Sequence, residues 1–100
     1  MSRVRGKPYF VYVLWSAGGR CFYIGISEDP DKRLRQHNES GRGWSSRHRP
    51  WEMVHSERYD GYTEARLREL ELKSQKGGEG FYRLTGLNPS HFSHSTPSGS

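Results

Sequence analysis

The side chains best suited to phosphate chemistry lie close together in the sequence, between Tyr12 and His37. Tyr12 and Tyr23 offer phenols, which serve as general bases only when a nearby cation or imidazole lowers their pKa of about 10. Arg33 offers a guanidinium, which can donate two parallel hydrogen bonds to a phosphate. His37 offers an imidazole that can orient a phenol, move a proton near neutral pH or bind a phosphate. Together these four side chains indicate a site for phosphate chemistry.

Two predicted β-strands carry the two tyrosines. Residues 9–15 and 21–26 are rich in β-branched and aromatic side chains, which is typical of strands. Gly18 and Gly19, in the short segment between them, indicate a turn. We therefore expect the two segments to pair as an antiparallel β-hairpin.

The register of this hairpin decides whether the two tyrosines share a face of the sheet. If the centre of the turn lies between Ala17 and Gly18, Tyr12 lies directly opposite Tyr23 and both phenols project to the same side. A shift of one residue would place them on opposite sides. Packing in the core is the alternative role for both tyrosines, because aromatic rings supply much of the core of a small domain.

A helix that begins at Asp29 and Pro30 would bring Arg33 and His37 together. Asp is a preferred N-cap residue, and Pro is favoured at the first helical position. We expect this helix to run to about Asn38. Residues four apart lie on one helical face, so Arg33 and His37 would point to the same side. A plain surface arginine is the alternative role for Arg33.

The second half of the chain contains a third predicted strand and a second predicted helix. Residues 51–59 alternate imperfectly between apolar and polar side chains and predict a strand. Thr63 is the expected N-cap of a helix over residues 64–76, which a run of glycines would end. The leucines of this helix do not form a continuous apolar stripe, so the sequence does not show which face of the helix is buried. Residues 81–87 form a short element whose type also stays open.

Length and composition predict one small domain over residues 9–89, with flexible ends at residues 1–8 and 90–100. Hydrophobic residues make up 31% of the chain and aromatic residues 13%, so we expect a compact core rich in rings. Cys21 is the single cysteine, which excludes an internal disulfide and a zinc site built from cysteines of one chain.

The chain is basic, with 16 Lys and Arg against 11 Asp and Glu and a formal net charge of +5. Such a surplus favours polyanionic partners, nucleic acid first. No stretch approaches the length and apolar character of a membrane span, and the N-terminus lacks the apolar segment of a signal peptide. We therefore expect a cytoplasmic protein, associated with the bacterial nucleoid and without membrane contact.

Taken together, the motifs resemble the GIY-YIG nuclease superfamily. The similarity is greatest to its small stand-alone bacterial members, which are similar to the nuclease domain at the N-terminus of excinuclease C. Tyr23-Ile24-Gly25 reproduces the second family motif, whereas Phe10-Val11-Tyr12 keeps only the tyrosine of the first. Arg33 stands at the position of the family's catalytic arginine, and His37-Asn38 matches the His-Asn of the small members.

The remaining family motifs lie in the second half of the chain. Ala65, Glu69 and Lys73 resemble the family's Ala-x3-Glu-x3-Lys helix, whose glutamate binds the metal. Asn88-Pro89 resembles the Asn-Pro near the family's end, and Pro50-Trp51 before the third strand also fits. Without the resemblance, Glu69 would be interpreted as a solvated helix glutamate paired with Lys73.

The resemblance implies an α/β (α+β) fold in which a three-stranded antiparallel sheet is flanked by helices. It implies a Mg²⁺- or Mn²⁺-dependent endonuclease that hydrolyses DNA phosphodiester bonds, with Glu69 as the metal ligand. The implied catalytic residues are Tyr12, Tyr23, Arg33 and His37. Candidate nucleic-acid contacts are the polar and basic residues Lys32, Arg35, Arg42, Arg47, Lys73 and Asn88.

We expect a single-stranded, branched or damaged DNA substrate, in repair or recombination, because the chain has no room for an extra specificity domain. A protein partner could supply specificity instead. Two alternatives remain open: a catalytically inactive module that binds nucleic acid through its basic face, and a domain that recruits another protein. The joint presence of the four implied catalytic residues and Glu69 favours the enzyme.

Overall fold

The computed structural model describes residues 8–39 and 48–92 of the chain. Its centre is a three-stranded antiparallel sheet in the order β2–β1–β3. The strands are β1 Tyr9–Ser16, β2 Cys21–Ser27 and β3 Trp51–Tyr59. The three predicted strands are therefore present, and the predicted α/β fold class is confirmed.

Helices cover both faces of this sheet. They are α1 Pro30–Glu39, α2 Tyr62–Ser74 and α3 Glu79–Thr85, followed by the 3₁₀ turn Pro89–His91. The predicted cap of α1 is confirmed, because Asp29 Oδ1 accepts a hydrogen bond from the Lys32 N–H (3.1 Å). The predicted cap at Thr63 is wrong, since α2 begins two residues earlier than predicted, at Tyr62, with Gly61 as N-cap and without a side-chain cap. No helix in the described part of the chain is long and apolar enough to cross a membrane.

The β1–β2 hairpin differs from the predicted register by two residues. Tyr12 pairs with Gly25 and not with Tyr23, because the turn has four residues and its centre lies one residue further along the chain. The Arg20 N–H closes the turn on the Ser16 carbonyl (2.7 Å), and Arg20 adopts a left-handed conformation with φ 54°. A shift of two residues preserves the faces, so the two tyrosines still share one side of the sheet.

The two faces of the sheet pack against different helices. One side, which we call the α1 face, holds a small cluster with Tyr12, Leu14 and Trp51 buried and Leu34 of α1 packed against them. The other side, the α2 face, packs against α2 and α3. Its buried residues are Val11, Val13, Phe22, Ile24, Ala65, Leu72, Phe81 and Phe92. The predicted site residues are therefore divided between two layers.

The packed core extends past residue 89. The 3₁₀ turn brings in Phe92, whose ring packs against Trp15 (centroids 5.0 Å apart) and Phe22 (5.1 Å). Residues 90–92 therefore belong to the folded domain, in contrast to the predicted flexible end from residue 90. The rest of the predicted flexible ends, residues 1–7 and 93–100, lies outside the described residues.

A partly buried ionic network fixes α2 against β3. Arg68 donates to Glu57 through Nε (2.8 Å) and Nη2 (3.0 Å), and its Nη2 also reaches the Leu84 carbonyl of α3 (2.9 Å). Glu57 also bonds His55 Nε2 (2.7 Å) and accepts from the Tyr59 hydroxyl (2.7 Å). Burial alone would raise the pKa of Glu57, but the hydrogen bonds from these side chains lower it to about 2.

We predict that Arg68→Met lowers the free energy of unfolding by about 3 kcal/mol at pH 7, because it leaves the buried charge of Glu57 without its main partner. The pKa of Glu57 is depressed, so its stabilising effect is present above the ordinary value of 4.5 and is lost as the pH falls toward about 2. The difference between variant and parent should shrink over that interval. Urea unfolding at a series of pH values measures it.

The matched control is Arg58→Met, which removes an arginine from an exposed pair with Asp60 (3.4 Å). This control should change stability little at any pH, because exposed ion pairs contribute little. A stability loss in Arg68→Met that stays constant from neutral to acidic pH would contradict the role given to Glu57.

Candidate active site

The α1 face brings Tyr12 against Gly25 of the neighbouring strand. A Cβ atom at Gly25 would lie 2.7 Å from the Tyr12 hydroxyl oxygen and 3.0 Å from Tyr23 Cε1. No side chain fits at such distances, so the glycine is what permits the phenol to lie over β2. The rings of Tyr12 and Tyr23 are 6.1 Å apart, with an angle of 31° between their planes. The two phenols thus form one aromatic group on this face.

The Tyr12 side chain is fully buried, and its hydroxyl oxygen has no hydrogen-bond partner. Burial raises the pKa of Tyr12, and the nearby Arg33 offsets this only in part. The phenol therefore keeps its proton at neutral pH and has a hydrogen bond to donate. Because leaving a buried hydroxyl without a partner is costly, its position indicates a place for a ligand group.

His37 lies beside Tyr23 on the same face. The two rings meet edge to face with centroids 4.4 Å apart, and the imidazole lies 6.0 Å from the Trp51 ring. Its Nε2 atom is buried and has no hydrogen-bond partner. Burial lowers the pKa of His37, and the positive charge of Arg33 lowers it further. The imidazole is therefore neutral near pH 7 and can accept a proton.

Asn38 holds α1 on this face, a role that the sequence pattern did not reveal. Its side-chain amide donates to the Trp51 carbonyl (3.0 Å) and accepts from the Trp51 N–H (2.5 Å). Arg49 in turn donates to the Asn38 carbonyl (3.2 Å). These bonds fix the end of α1 to the start of β3, and so they set the direction in which His37 points. The His-Asn pair in the sequence marked this position, but it did not predict that the Asn38 side chain bonds to the start of β3.

Arg33 lies at the exposed edge of the site. Its Nη1 donates to Gln36 Oε1 in the same helix (3.2 Å) rather than to the Tyr12 hydroxyl. The neighbouring phenol raises the pKa of Arg33, so the guanidinium stays charged. Arg33 also lines an open polar cleft of about 540 Å³, a volume typical of ligand sites. The other residues of this cleft are Ser27, Glu28, Asp29, Lys32 and Gln36.

Glu69 lies on the buried side of α2, which packs on the opposite face of the sheet. Its side chain is 8% exposed, and both carboxylate oxygens are paired, one with Arg66 Nη1 (2.7 Å) and one with Lys73 Nζ (3.0 Å). Its helix neighbours Ala65 and Leu72 belong to the cluster on the α2 face. In the described residues, no hydrogen bond or ion pair joins Glu69 to the α1 face. Contacts and charge effects on the α1 face therefore link Tyr12, Tyr23, Arg33 and His37, whereas the ion-pair partners of Glu69 lie on α2 itself.

The predicted nucleic-acid contacts are dispersed. Lys32 and Arg35 lie on the exposed surface of α1, and Lys32 lines the cleft beside Arg33. Lys73 is paired on α2, and the Asn88 side chain caps the 3₁₀ turn instead. The two remaining predicted contacts lie outside the described residues: Arg42 and Arg47.

A family model described as the GIY-YIG catalytic domain matches residues 8–81 of this chain. The chain belongs to the GIY-YIG family. The matched region spans the whole sheet, the residues of the α1 face and Glu69 on α2. GIY-YIG proteins form a family of hydrolytic nucleases, and they generally depend on a divalent metal.

Two kinds of protein are similar to this GIY-YIG chain. The structure-specific endonuclease subunit SLX1 of Pyrenophora tritici-repentis is 44% identical over 58 residues, which cover 53% of this chain and 16% of that protein. A UPF0213 protein of Natronomonas pharaonis is 34% identical over 67 residues, which cover 66% of this chain and 78% of that protein. A UPF0213 protein of Enterococcus faecalis is 35% identical over 71 residues, with 67% and 78% covered. The chain thus spans about a sixth of the SLX1 protein and most of the UPF0213 proteins.

We predict that Gly25→Ala displaces the Tyr12 phenol from its buried position, at a cost of about 1–3 kcal/mol in stability. Because burial is the main cause of the raised pKa, the pKa of Tyr12 should fall toward its ordinary value. A pH titration followed by NMR on ring-labelled tyrosine measures the change. Gly18→Ala is the matched control, since its Cβ would meet nothing within 4 Å. An unchanged pKa of Tyr12 in Gly25→Ala would show that the close approach does not hold the phenol.

Proposed function

We propose that this protein is a divalent-metal-dependent endonuclease that hydrolyses DNA phosphodiester bonds at the α1 face. One observation carries the proposal. Within residues 8–39 and 48–92, the buried side-chain nitrogen and oxygen atoms without a partner are Tyr12 Oη and His37 Nε2. Both belong to the face where Arg33 offers a fixed positive charge. A phosphate at Arg33, with an attacking water beside it, would supply the missing partners.

The side chains of the α1 face divide the chemistry between them. Arg33 turns from Gln36 to the scissile phosphate, donates two hydrogen bonds and stabilises the charge that develops on the phosphoryl oxygens. Tyr12 orients the attacking water through its free hydroxyl, and it acts as a base only when its own proton passes to His37. His37 is neutral and is the final acceptor of the proton. Tyr23 packs between Tyr12 and His37 and positions the water or the phosphate.

The cofactor that we propose is Mg²⁺ or Mn²⁺, with Glu69 as the protein ligand. The described residues contain no group of three or more His, Cys, Asp or Glu side chains that could form a fuller metal site. One carboxylate suits Mg²⁺, which keeps several waters and takes oxygens from the substrate. Arg66 and Lys73 are 45% and 47% exposed, so they can turn toward nucleic acid and release the carboxylate. When bound, such a cation polarises the phosphate and stabilises the leaving oxygen.

The substrate that we propose is branched, single-stranded or damaged DNA, in repair or recombination. The net charge of +5 favours a polyanion. The similar SLX1 proteins are structure-specific endonuclease subunits by name, which supports cleavage directed by DNA structure. The word subunit in those names also supports a protein partner that supplies specificity.

A catalytically inactive nucleic-acid-binding module, or a recruitment domain with the same fold, is the second candidate. The pairing of Glu69 favours it, because both carboxylate oxygens are already bound to Arg66 and Lys73. Such a protein would bind DNA with salt-dependent affinity through Arg33 and its neighbours, but it would not turn over.

Glu69→Gln should lower cleavage by at least about a hundredfold in Mg²⁺ or Mn²⁺, since it removes a group that acts in the transition state. Its DNA affinity in chelator should match the parent. Supercoiled plasmid, single-stranded DNA and branched DNA are the substrates. Glu64→Gln, an exposed change on the same helix, is the matched control and should cleave normally. Normal cleavage by Glu69→Gln would refute the metal ligand, and no cleavage by the parent on any substrate would favour the binding module.

The dependence of kcat/KM on pH tests the role of His37. The rate should rise with pH through a pKa below the ordinary histidine value of about 6.5, because burial and Arg33 lower it and only the neutral form accepts a proton. His37→Gln should lose about 10² to 10⁴ in rate together with the acidic limb of the profile. His91→Gln, an exposed control, should keep both. An acidic limb that survives in His37→Gln would assign the titration to another group.

A further inference from the structure

A second cavity lies on the α2 face, at the end of the β1–β2 hairpin away from Gly25. Its volume of about 470 Å³ falls in the range of small-ligand sites. Its lining includes four aromatic residues and two cationic residues: Trp15, Phe22, Tyr82 and Phe92, with Arg20 and Lys76. None of these six belongs to the predicted site, and the proposed chemistry does not use them.

The aromatic rings of this cavity hold one another in place. Phe22 packs against Trp15 (centroids 4.7 Å apart) and Phe92 (5.1 Å). Tyr82 stacks on Phe92 with an angle of 24° between the ring planes. Trp15 and Tyr82, which line the cavity, are only partly buried. Ordered, partly exposed rings of this kind are the surfaces on which nucleic-acid bases stack.

Two cations line the same cavity. Lys76 Nζ donates to the Phe22 carbonyl (3.3 Å), and an ammonium group has two further hydrogen bonds to donate. Arg20 is exposed, and its guanidinium makes no hydrogen bond or ion pair with the described residues. Burial raises the pKa of the neighbouring Cys21 thiol, although the charge of Lys76 opposes this, so no thiolate neutralises the lysine.

An adjacent cavity differs from the cavity at the hairpin end in its charge. That cavity, of about 520 Å³, shares the walls Trp15 and Phe92 but includes the acidic Glu52 and no Lys or Arg. A phosphate would be repelled by Glu52, whereas Arg20 and Lys76 attract it. Of these two cavities, the one at the hairpin end combines aromatic faces with two cations.

We propose that this aromatic–cationic cavity binds one unpaired nucleotide of the DNA strand that is cleaved at the α1 face. The base stacks on Trp15 and Tyr82, and its phosphate binds Arg20 and Lys76. The identity of the strand rests on the proposed function. A base paired within a duplex cannot enter the cavity, so the cavity gives a physical reason for a preference for branched or single-stranded substrates.

The distance between the two sites fits a short length of single strand. β2 is an edge strand, so nucleic acid can pass along its outer side from one face of the sheet to the other. Cys21 at the cavity and Gly25 beneath Tyr12 are separated along β2 by about 13 Å, at about 3.3 Å per residue. Because the nucleic acid must also cross from one face of the sheet to the other, the path is longer than the length of about four stacked nucleotides, at about 3.4 Å each, that this separation alone requires. An unpaired arm that spans this longer path should reach the cavity.

DNA binding in chelator tests the cavity without requiring cleavage. The probes are a fluorescent hairpin duplex with a single-stranded arm of about ten nucleotides and the same hairpin with a blunt end. In the parent, the arm should tighten binding at least about fivefold. This tighter binding of the hairpin with the arm should disappear in the double variant Arg20→Asn/Lys76→Gln and in Tyr82→Leu. Asn is chosen at position 20 because it tolerates the left-handed backbone there. Arg83→Gln, which removes an exposed charge from α3, should keep the tighter binding.

Tryptophan fluorescence locates the bound arm. The arm should quench the fluorescence of the parent, and most of this quenching should be absent in Trp15→Phe. The proposal is overturned if the gain from the arm persists in both the double variant and Tyr82→Leu. Equal quenching by thymidine monophosphate would also overturn it, because the site would then bind free nucleotides.

The two proposals fail in different ways. A parent protein that shows the gain from the arm but cleaves no DNA with Mg²⁺ or Mn²⁺ contradicts the proposed function and supports the cavity. A parent protein that cleaves DNA but binds armed and blunt hairpins equally contradicts the cavity alone. Thermal unfolding of each variant confirms that a lost gain does not reflect a lost fold.

Discussion

The contact between the Tyr12 phenol and Gly25 is the constraint on which the rest of the structure depends. It requires the register in which the glycine of β2 stands opposite the tyrosine of β1. In that register Tyr23 lies diagonal to Tyr12, with 6.1 Å between the rings, and His37 packs edge-on against Tyr23. Tyr12 therefore positions Tyr23, Tyr23 positions His37, and this series of contacts ends on α1. A side chain at Gly25 would disturb the first contact and therefore all the others.

The two faces of the sheet use polar groups in opposite ways. On the α2 face, the network that docks the helix satisfies its charges internally. On the α1 face, the neutral amide of Asn38 docks the helix, and Arg33 is left as a cation that acts on both Tyr12 and His37. Burial keeps the phenol protonated against the opposing effect of Arg33, whereas burial and the charge of Arg33 together keep the imidazole neutral. These are the states that allow a proton to move from a water toward the imidazole once a phosphate is bound.

The parts of the fold that depend on neighbouring residues could be predicted from the sequence. The alternation in β3 and the Asp29 cap of α1 are local, and both predictions are confirmed. The hairpin register could not be predicted in this way, because the turn requires Arg20 in a left-handed conformation that glycine usually adopts. The buried side of α2 could not be predicted either, since Leu67 and Leu70 are 63% and 45% exposed and so do not mark it. The metal-ligand candidate Glu69 lies on that same helix, paired with Arg66 and Lys73.

A phosphodiester bound on the α1 face should give Tyr12 and His37 the hydrogen-bond partners that they lack. NMR on protein with labelled tyrosine and histidine rings, titrated with a nuclease-resistant phosphorothioate oligonucleotide, tests this most directly. We predict that the ring signals of Tyr12 and His37 shift as the oligonucleotide binds, while those of Tyr59 and His55 in the network on the α2 face stay in place. Shifts confined to Tyr59 and His55, with Tyr12 and His37 unchanged at saturation, would contradict the assignment of the site.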